Sequence, residues 1–245
     1  TSDDRPGDPI LVSFGYRLPR RGNSIDQAND DGYSRLADGD LATFWKSNPY
    51  LDRRYTGEDR HPQWLIADLG DKIPVNAIRI FWGIPYAVRY AVQYWDGEDT
   101  DLPDGYPKGR WQTFPDGLVT QGRGGDGILR LTREALPARY LRVLLEESSA
   151  SAPAGASDPR DALGFAVREV AIGIQGTSGE LHDAVRHAAS RGGQSRFFVS
   201  STDPWHRAVD LDPGVEQAGI DRVFASGLTH GLPMLVPVGV LYDTP

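Results

Sequence analysis

Alternating hydrophobic and polar positions dominate the first 176 residues of the chain. In residues 87–95, Val88, Tyr90, Val92 and Tyr94 share one parity, a period of two that is typical of a strand with one buried face. Similar alternating or short apolar segments predict strands at residues 64–70, 75–82, 128–132, 140–145 and 167–174. Because these strands follow one another without helical periodicity between them, the pattern predicts a mainly β, antiparallel sandwich.

The periodicity changes after Gly176. Leu181, Val185 and Ala188 lie at helical spacing and predict a helix. The full order of predicted elements is a helix at residues 180–190, a strand at 196–200, a helix at 215–228 and an almost wholly apolar strand at 233–242. Such a continuously apolar strand is typical of a parallel sheet that is covered on both faces. We therefore expect a short α/β segment at residues 177–245, consisting of a linker helix and the first βαβ unit of a second domain.

Composition excludes several classes of function. The 245 residues are 39% hydrophobic and 24% charged, with a formal net charge of −8, and no run of Lys and Arg offers a surface for nucleic acid. No stretch approaches the 18 apolar residues of a membrane span. Cysteine is absent, so disulfides and thiolate metal sites are excluded. No signal peptide opens the chain, and for an extracellular or secreted protein we expect it to have been removed.

Several motifs follow one another in a fixed order along the chain. They are Ala-Asp-Gly-Asp-Leu-Ala-Thr-Phe-Trp at 37–45, the strands at 64–70 and 75–81, Trp-Asp-Gly at 95–97, Gly-Arg-Trp at 109–111, Ala-Arg-Tyr-Leu-Arg-Val at 138–143 and Phe-Ala-Val-Arg-Glu-Val at 165–170. Together they resemble the discoidin (coagulation factor 5/8 type C) family of galactose-binding-like modules. The resemblance covers residues 9–176 and implies a jelly-roll β-sandwich domain at residues 1–176. The chain lacks the Cys pair of the blood-clotting branch, which favours the microbial carbohydrate-binding branch.

The Asp-Gly turn at residues 38–40 is a candidate calcium site. Calcium prefers six to eight hard oxygen ligands, and Asp38, Asp40 and Thr43 offer carboxylate, hydroxyl and carbonyl oxygens within a few residues. The resemblance implies that the carbonyl of Arg35 and the carboxylate of Glu169 complete a structural Ca²⁺ site. The alternative is an ordinary polar turn without metal.

Two loops of the expected sandwich carry candidate sugar ligands. Carbohydrates present apolar faces fringed by hydroxyls, so their sites combine aromatic rings with charged or amide groups. The resemblance implies that the loop after the first Trp and the loop after the third strand approach one another, which brings together Asn48, Tyr50, Arg54, His61, Trp82, Tyr86 and Arg89. We expect Trp82, Tyr86 and Arg89 to contribute most. The alternatives are an inward, core Trp82 and an Arg89 that only pairs with a surface carboxylate.

The leading functional hypothesis is a carbohydrate-binding module that targets an attached glycoside hydrolase to a glycan or polysaccharide. Ser-Thr-Asp-Pro-Trp-His-Arg at 201–207 follows a predicted strand, the place where a (β/α)8 barrel carries substrate-binding groups. The tail therefore resembles the start of a (β/α)8 barrel glycosidase, and we expect the remainder of that catalytic domain to follow residue 245. An alternative is a discoidin adhesion module that binds protein or phospholipid. Within these residues we find no pair of carboxyl groups suited to glycoside hydrolysis, and Asp203, Asp210 and Asp212 are better explained as caps or loop residues.

Overall fold

In the part of the chain that the structure describes, two antiparallel sheets of five strands each form the sandwich. The computed structural model describes residues 34–57, 61–97, 109–187 and 195–201. The strands are β1 (Trp45–Lys46), β2 (Gln63–Val75), β3 (Ala77–Trp82), β4 (Ala87–Gly97), β5 (Gly109–Val119), β6 (Asp126–Arg130), β7 (Leu136–Ser148), β8 (Ala166–Gln175), β9 (Leu181–Asp183) and β10 (Arg196–Val199). A single-turn helix, α1 (Arg53–Thr56), and short 3₁₀ turns at Ser34–Ala37, Pro49–Leu51 and Pro159–Ala162 lie between strands.

The strand order confirms the mainly β, antiparallel sandwich. The first sheet has the order β1-β8-β3-β6, with β9 also paired to β8, and the second has the order β10-β2-β7-β4-β5. Every strand pair in the described residues is antiparallel. Non-consecutive strands are neighbours in both sheets, so the loops that join them collect at the two ends of the sandwich.

The core lies between the two sheets because each strand turns alternate apolar residues inward. The first sheet contributes Ile78, Ile80, Val170 and Ile172, and the second contributes Leu65, Val92, Leu141 and Val143. Burial of one such side chain stabilises the fold by roughly 1.5–3 kcal/mol. The shared core makes the relative placement of the loops at each end rigid.

The helix predicted at residues 180–190 is wrong over its described part. Leu181 to Asp183 form β9, which pairs with Gly173 to Gln175 of β8, and no helix follows it up to His187. The close pairing depends on Gly173, since a Cβ there would lie 2.0 Å from the carbonyl oxygen of His182. Pairing with an existing strand outweighs a helical pattern of only a few residues, because short isolated helices are marginal.

The sandwich also extends beyond residue 176. The strand predicted at residues 196–200 is present as β10, but it pairs antiparallel with β2 at the edge of the second sheet and does not begin a separate domain. The chain divides into two compact units, residues 1–207 and 208–245, and all described residues lie in the first. The elements predicted at 215–228 and 233–242 lie outside the described residues.

Candidate functional site

Four loops gather at one end of the sandwich and bring distant segments together. Their described residues are 47–57 with 61–62, 83–86, 120–125 and 149–165. The backbone N–H of Ser47 donates to the carbonyl of Phe165 at 2.9 Å, and that of Ser149 donates to Tyr86 at 2.8 Å. The first hydrogen bond holds the loop after Trp45 against the loop that precedes β8, and the second holds that same loop against residues 83–86.

A cleft of about 830 Å³ opens beside this loop end. Its wall includes four of the predicted ligand residues, Asn48, Arg54, His61 and Arg89. They come from separate segments of the chain, the 47–62 loop and strand β4, as the resemblance implied. Volumes of this size are typical of pockets for small ligands.

The polar side chains of the cleft differ in how far they are committed to the protein. Asn48 caps the following 3₁₀ turn, since its Oδ1 accepts from the backbone N–H of Tyr50 at 3.0 Å. Arg89 forms an ion pair with Glu146 of β7. Arg54 is the most exposed of these groups, with 55% of its side chain accessible to solvent. Its Nε lies 3.4 Å from Oδ1 of Asp52.

Tyr50 has a structural role rather than a place in the cleft wall. Its hydroxyl accepts a hydrogen bond of 2.6 Å from Nη1 of Arg160, and Arg160 is held in turn by Asp158. The ring of Tyr50 packs against that of Tyr55, with centroids 5.1 Å apart. Tyr55 itself is exposed on α1, one residue beyond Arg54.

Trp82, the first candidate for the aromatic platform, is a core residue. It is only 9% exposed and belongs to the main apolar cluster, where its ring centroid lies 5.2 Å from that of Tyr90. Ile78, Ile80 and Trp82 share one parity on β3, so the strand that buries the two isoleucines also turns Trp82 inward. Tyr86 is partly buried against the same core and also does not line the cleft.

The predicted calcium turn brings several oxygen atoms together. Oγ1 of Thr43 donates to Oδ2 of Asp38 at 2.6 Å and also lies 3.1 Å from the carbonyl oxygen of Asp40. Oε2 of Glu169, from the closing strand β8, accepts from the backbone N–H of Gly39 at 3.2 Å. The carboxylate of Asp40 accepts from the N–H of Ala42 instead, so Asp40 offers this group its carbonyl rather than its side chain.

Glu169 is a buried carboxylate in an unfavourable environment. Burial, and the nearby charge of Asp38, raise its pKa to about 7 in spite of the opposing charge and hydrogen bond of His187. His187 lies between two acids, with Nδ1 2.8 Å from Glu169 and Nε2 2.7 Å from Asp183. Burial opposes the charged imidazole, but the hydrogen bonds and charges of Asp183 and Glu169 outweigh it and raise the pKa of His187.

These oxygen atoms fit a hard cation in kind. Among the residues that the structure describes, no group of three or more His, Asp or Glu side chains is arranged to hold a metal ion. An ion at this turn would therefore depend on the carboxylates of Asp38 and Glu169 together with hydroxyl and carbonyl oxygens, a mixture that calcium accepts.

The chain is similar to chitosan-binding modules. Module 1 of the chitosanase/glucanase from Paenibacillus sp. IK-5 is 26% identical, with a TM-score of 0.41 over 61% of this chain and 89% of the module. Module 2 of the same enzyme, solved with chitotriose, is 22% identical, with a TM-score of 0.41 over 61% and 91%. A pectin-binding carbohydrate-binding module is 16% identical, with a TM-score of 0.37 over 59% and 81%.

No family model and no curated protein matches the chain. The strand order and register establish the β-sandwich independently of these similarities. Among the residues described, no helix has the length and apolar character needed to cross a membrane.

Two residues of interest were missed from the sequence. Tyr55 follows Asp52, whose side chain caps α1 by accepting from the N–H of Arg54 at 3.0 Å, and this local capping signal identifies the exposed turn. His187 had been assigned to the predicted helix. Its contacts join segments 18 residues apart through the pairing of β8 and β9, and no local pattern indicates them.

Proposed function

We propose that the chain is a carbohydrate-binding module that holds its glycan in the cleft at the loop end. The observation that carries the proposal is the convergence of Asn48, Arg54, His61 and Arg89, from separate segments, on one cleft of about 830 Å³. The similar structures support it, since they include modules that bind chitosan and pectin.

The cleft suits a polar ligand that is uncharged or carries charges of both signs. Its arginines are balanced by the carboxylates of Asp52, Glu146 and Glu147. Guanidinium, amide and carboxylate groups offer both donors and acceptors to sugar hydroxyls. Tyr55, next to Arg54 on α1, is not among the residues of the cleft wall, but its exposed ring offers an aromatic face of the kind that packs on the C–H groups of a sugar.

Glycan binding by the purified protein tests this proposal. After a glycan array has found a ligand, titration calorimetry compares Arg54→Ala with Arg133→Ala, a control in the exposed turn between β6 and β7. Hydrogen bonds to charged groups contribute about 1.5–3 kcal/mol, so Arg54→Ala should weaken binding roughly 10-fold to 100-fold while the control binds as wild type does. Absence of any glycan ligand, or equal affinity of the two variants, would overturn the proposal.

The adhesion hypothesis has one specific observation in its favour. Ile84 is 44% exposed at the tip of the loop between β3 and β4, and exposed apolar side chains on such loops suit a lipid surface. Liposome sedimentation separates the two functions. Binding to vesicles that is lost in Ile84→Ser, without any glycan ligand, would favour the adhesion module.

We also propose a structural calcium ion at the turn of residues 38–43. Asp38 and Glu169 would hold it with their carboxylates, Thr43 with its hydroxyl, and Arg35 and Asp40 with their carbonyls. Support comes from the closeness of two carboxylates, one of them buried and with its pKa raised to about 7, because a cation relieves such repulsion. The ion would join this turn to the closing strand.

An attached glycoside hydrolase is the remaining part of the proposal. It is supported by the sequence pattern alone, since residues 202–245 lie outside the described residues. Because β9 and β10 belong to the sandwich, any catalytic domain would begin after Ser201 rather than at residue 177. Hydrolysis assays on polysaccharides test the proposed catalytic domain. An extracellular polysaccharide substrate would require secretion, and detection of the protein in the culture medium tests that point.

A further inference from the structure

The outer face of the second sheet carries a second cluster of buried apolar side chains. Its members are Trp64, Ile66, Trp95, Tyr140 and Phe198, with Trp111 and Leu144 partly buried beside them. They occupy the strand positions that alternate with the core residues, such as Leu65 and Leu141, so they lie on the face that points away from the first sheet.

Arg142 lies within this apolar cluster and is only 5% exposed. On β7 it is paired with Ile66 of β2 and Gln93 of β4. Its Nε donates to Oε1 of Gln93 at 2.7 Å, and Nη2 donates to the same oxygen. Burial lowers the pKa of Arg142 to about 9, and no carboxylate in the described part of the chain forms an ion pair with it.

Two buried donors in this region have no acceptor among the residues that the structure describes. They are Nη1 of Arg142 and Nε1 of Trp111. The two side chains are in contact, since the guanidinium carbon of Arg142 lies 4.7 Å from the ring centroid of Trp111. Trp111 packs edge-on against Trp95 at 5.3 Å and is on β5, at the edge of the sheet.

A buried charge without a counter-ion is costly, and so is each unsatisfied donor. Gln93 satisfies part of the guanidinium, but an amide oxygen carries no net charge. A carboxylate supplies both the negative charge and the acceptor oxygens, and it matches the planar donor geometry of arginine better than other groups. The chemistry of the site therefore favours a carboxylate ligand.

The position of Arg142 connects it with the candidate cleft. Leu144 lines the cleft and lies on the same face of β7, two residues from Arg142. At about 3.3 Å per residue this separation is roughly 7 Å along the strand. A ligand that leaves the cleft along β7 would therefore reach the guanidinium and the partly exposed ring of Trp111.

We propose that Arg142 and Trp111 form a subsite for the carboxylate of an acidic sugar, at one end of a saccharide that begins in the cleft. This inference rests on the proposed carbohydrate-binding function. Because Arg142 is only 5% exposed, the ligand would have to displace the side chains that cover it, among them Trp111. The subsite would select uronic acid units over neutral sugars.

The test is calorimetric titration with an oligogalacturonate and with its carboxyl-reduced counterpart. Arg142→Met removes the charge and fits an apolar site, and Trp111→Phe keeps an aromatic ring but removes the N–H. The control is Arg110→Met, because Arg110 lies on the same strand as Trp111 and its side chain is 74% exposed. We expect Arg142→Met to bind the acidic saccharide at least 10-fold more weakly and to lose its preference over the reduced one, with a smaller loss in Trp111→Phe and none in the control.

A second readout separates this inference from the proposed function. In nitrogen-15 NMR spectra, addition of glucuronate should shift the Arg142 Nε–H and the Trp111 indole resonances. Unmoved resonances, or equal binding of the acidic and reduced saccharides by wild type and Arg142→Met, would overturn the subsite. Binding of both saccharides that still depends on Arg54 would then leave the cleft proposal intact.

Discussion

Two buried carboxylates, Asp68 on β2 and Glu169 on β8, lie in opposite environments. Asp68 is 2% exposed and Glu169 is 4% exposed. Burial opposes ionisation of Asp68, but hydrogen bonds and charge from Arg139, the N–H of Gly70 and a hydrogen bond from Arg196 outweigh it and lower its pKa. For Glu169, burial and Asp38 raise the pKa to about 7. The surrounding groups more than compensate the burial of the first acid, whereas the second keeps a raised pKa in spite of its contact with His187.

Removal of Asp68 should have the largest effect. Asp68→Ala leaves Arg139 and Arg196 without the carboxylate that they contact at 2.9 and 2.7 Å, and breaking such a buried pair costs about 3–5 kcal/mol. Urea unfolding measures the loss. The matched control is Asp126→Ala, which breaks an exposed pair with Arg79 and should cost no more than about 1 kcal/mol.

If both variants lost the same stability, the contrast between a satisfied buried acid and a surface pair would be wrong.

Calcium should stabilise the protein by binding to the carboxylate of Glu169, the buried acid with the raised pKa. A ligand that binds only the folded state, at 100 times its Kd, adds about 2.7 kcal/mol to the free energy of unfolding. Thermal melts with calcium and with chelator should therefore differ in Tm for wild type, but not for Asp38→Asn or Glu169→Gln. Asp116→Asn, an exposed acid on β5, serves as the control and should respond as wild type does.

Equal Tm values for wild-type protein in calcium and in chelator would remove the case for the ion.

Lowering the pH should destabilise the protein by a smaller amount than Asp68→Ala does, because protonation of Asp68 removes its charge but leaves its side chain in place. In the folded state the pKa of Asp68 lies below its ordinary value of 3.8, so the unfolded chain binds the proton more readily. The stabilisation is complete above about pH 3.8 and is lost as the pH falls through the lower, folded pKa. Unfolding free energies measured from pH 6 to pH 2 should fall less steeply in Asp68→Asn than in wild type. Parallel pH profiles would count against the assignment.

The smallest change is expected for Glu169→Gln in metal-free protein. The amide removes a carboxylate whose pKa is raised by burial and by Asp38, and it keeps an acceptor for the N–H of Gly39. We expect the free energy of unfolding to change by less than about 1 kcal/mol, in contrast to Asp68. If this variant lost several kcal/mol of unfolding free energy in chelator, the ion pair of Glu169 with His187 would be what stabilises the metal-free fold.

The fold was largely predictable because alternation along a strand is a local signal. The residues of β4 and β8 show their buried faces in the sequence itself. Strand β5 was missed because Pro115, Asp116 and Gly117 interrupt its pattern. There the strand pairing shifts its register, and a Cβ on Gly117 would lie 2.5 Å from the carbonyl oxygen of Val92. Such close approaches depend on the partner strand, which the sequence does not identify.

The candidate site was predictable only in part. The resemblance correctly placed Asn48, Arg54, His61 and Arg89 near one another, and they line one cleft. The alternation of Ile78, Ile80 and Trp82 along β3, however, favours an inward Trp82. The environment of Arg142 depends on Gln93, 49 residues away, and on Trp111. An arginine within an alternating strand is normally read as a surface residue, so its burial becomes evident only when the sheet is assembled.

Strand β10 gives the cleft a mechanical connection to the rest of the chain. After β10, the hydroxyl of Ser201 accepts from the backbone N–H of Asn48 at 3.1 Å, and its carbonyl accepts from the indole N–H of Trp45 at 2.9 Å. Tension on the chain that follows Ser201 would load β10 in shear against β2, whose hydrogen bonds share the force, and would also reach Asn48 in the cleft wall. In the proposed carbohydrate-binding module, such a pull would reach the loop that lines the cleft, so load on this segment would change the affinity for a polymer.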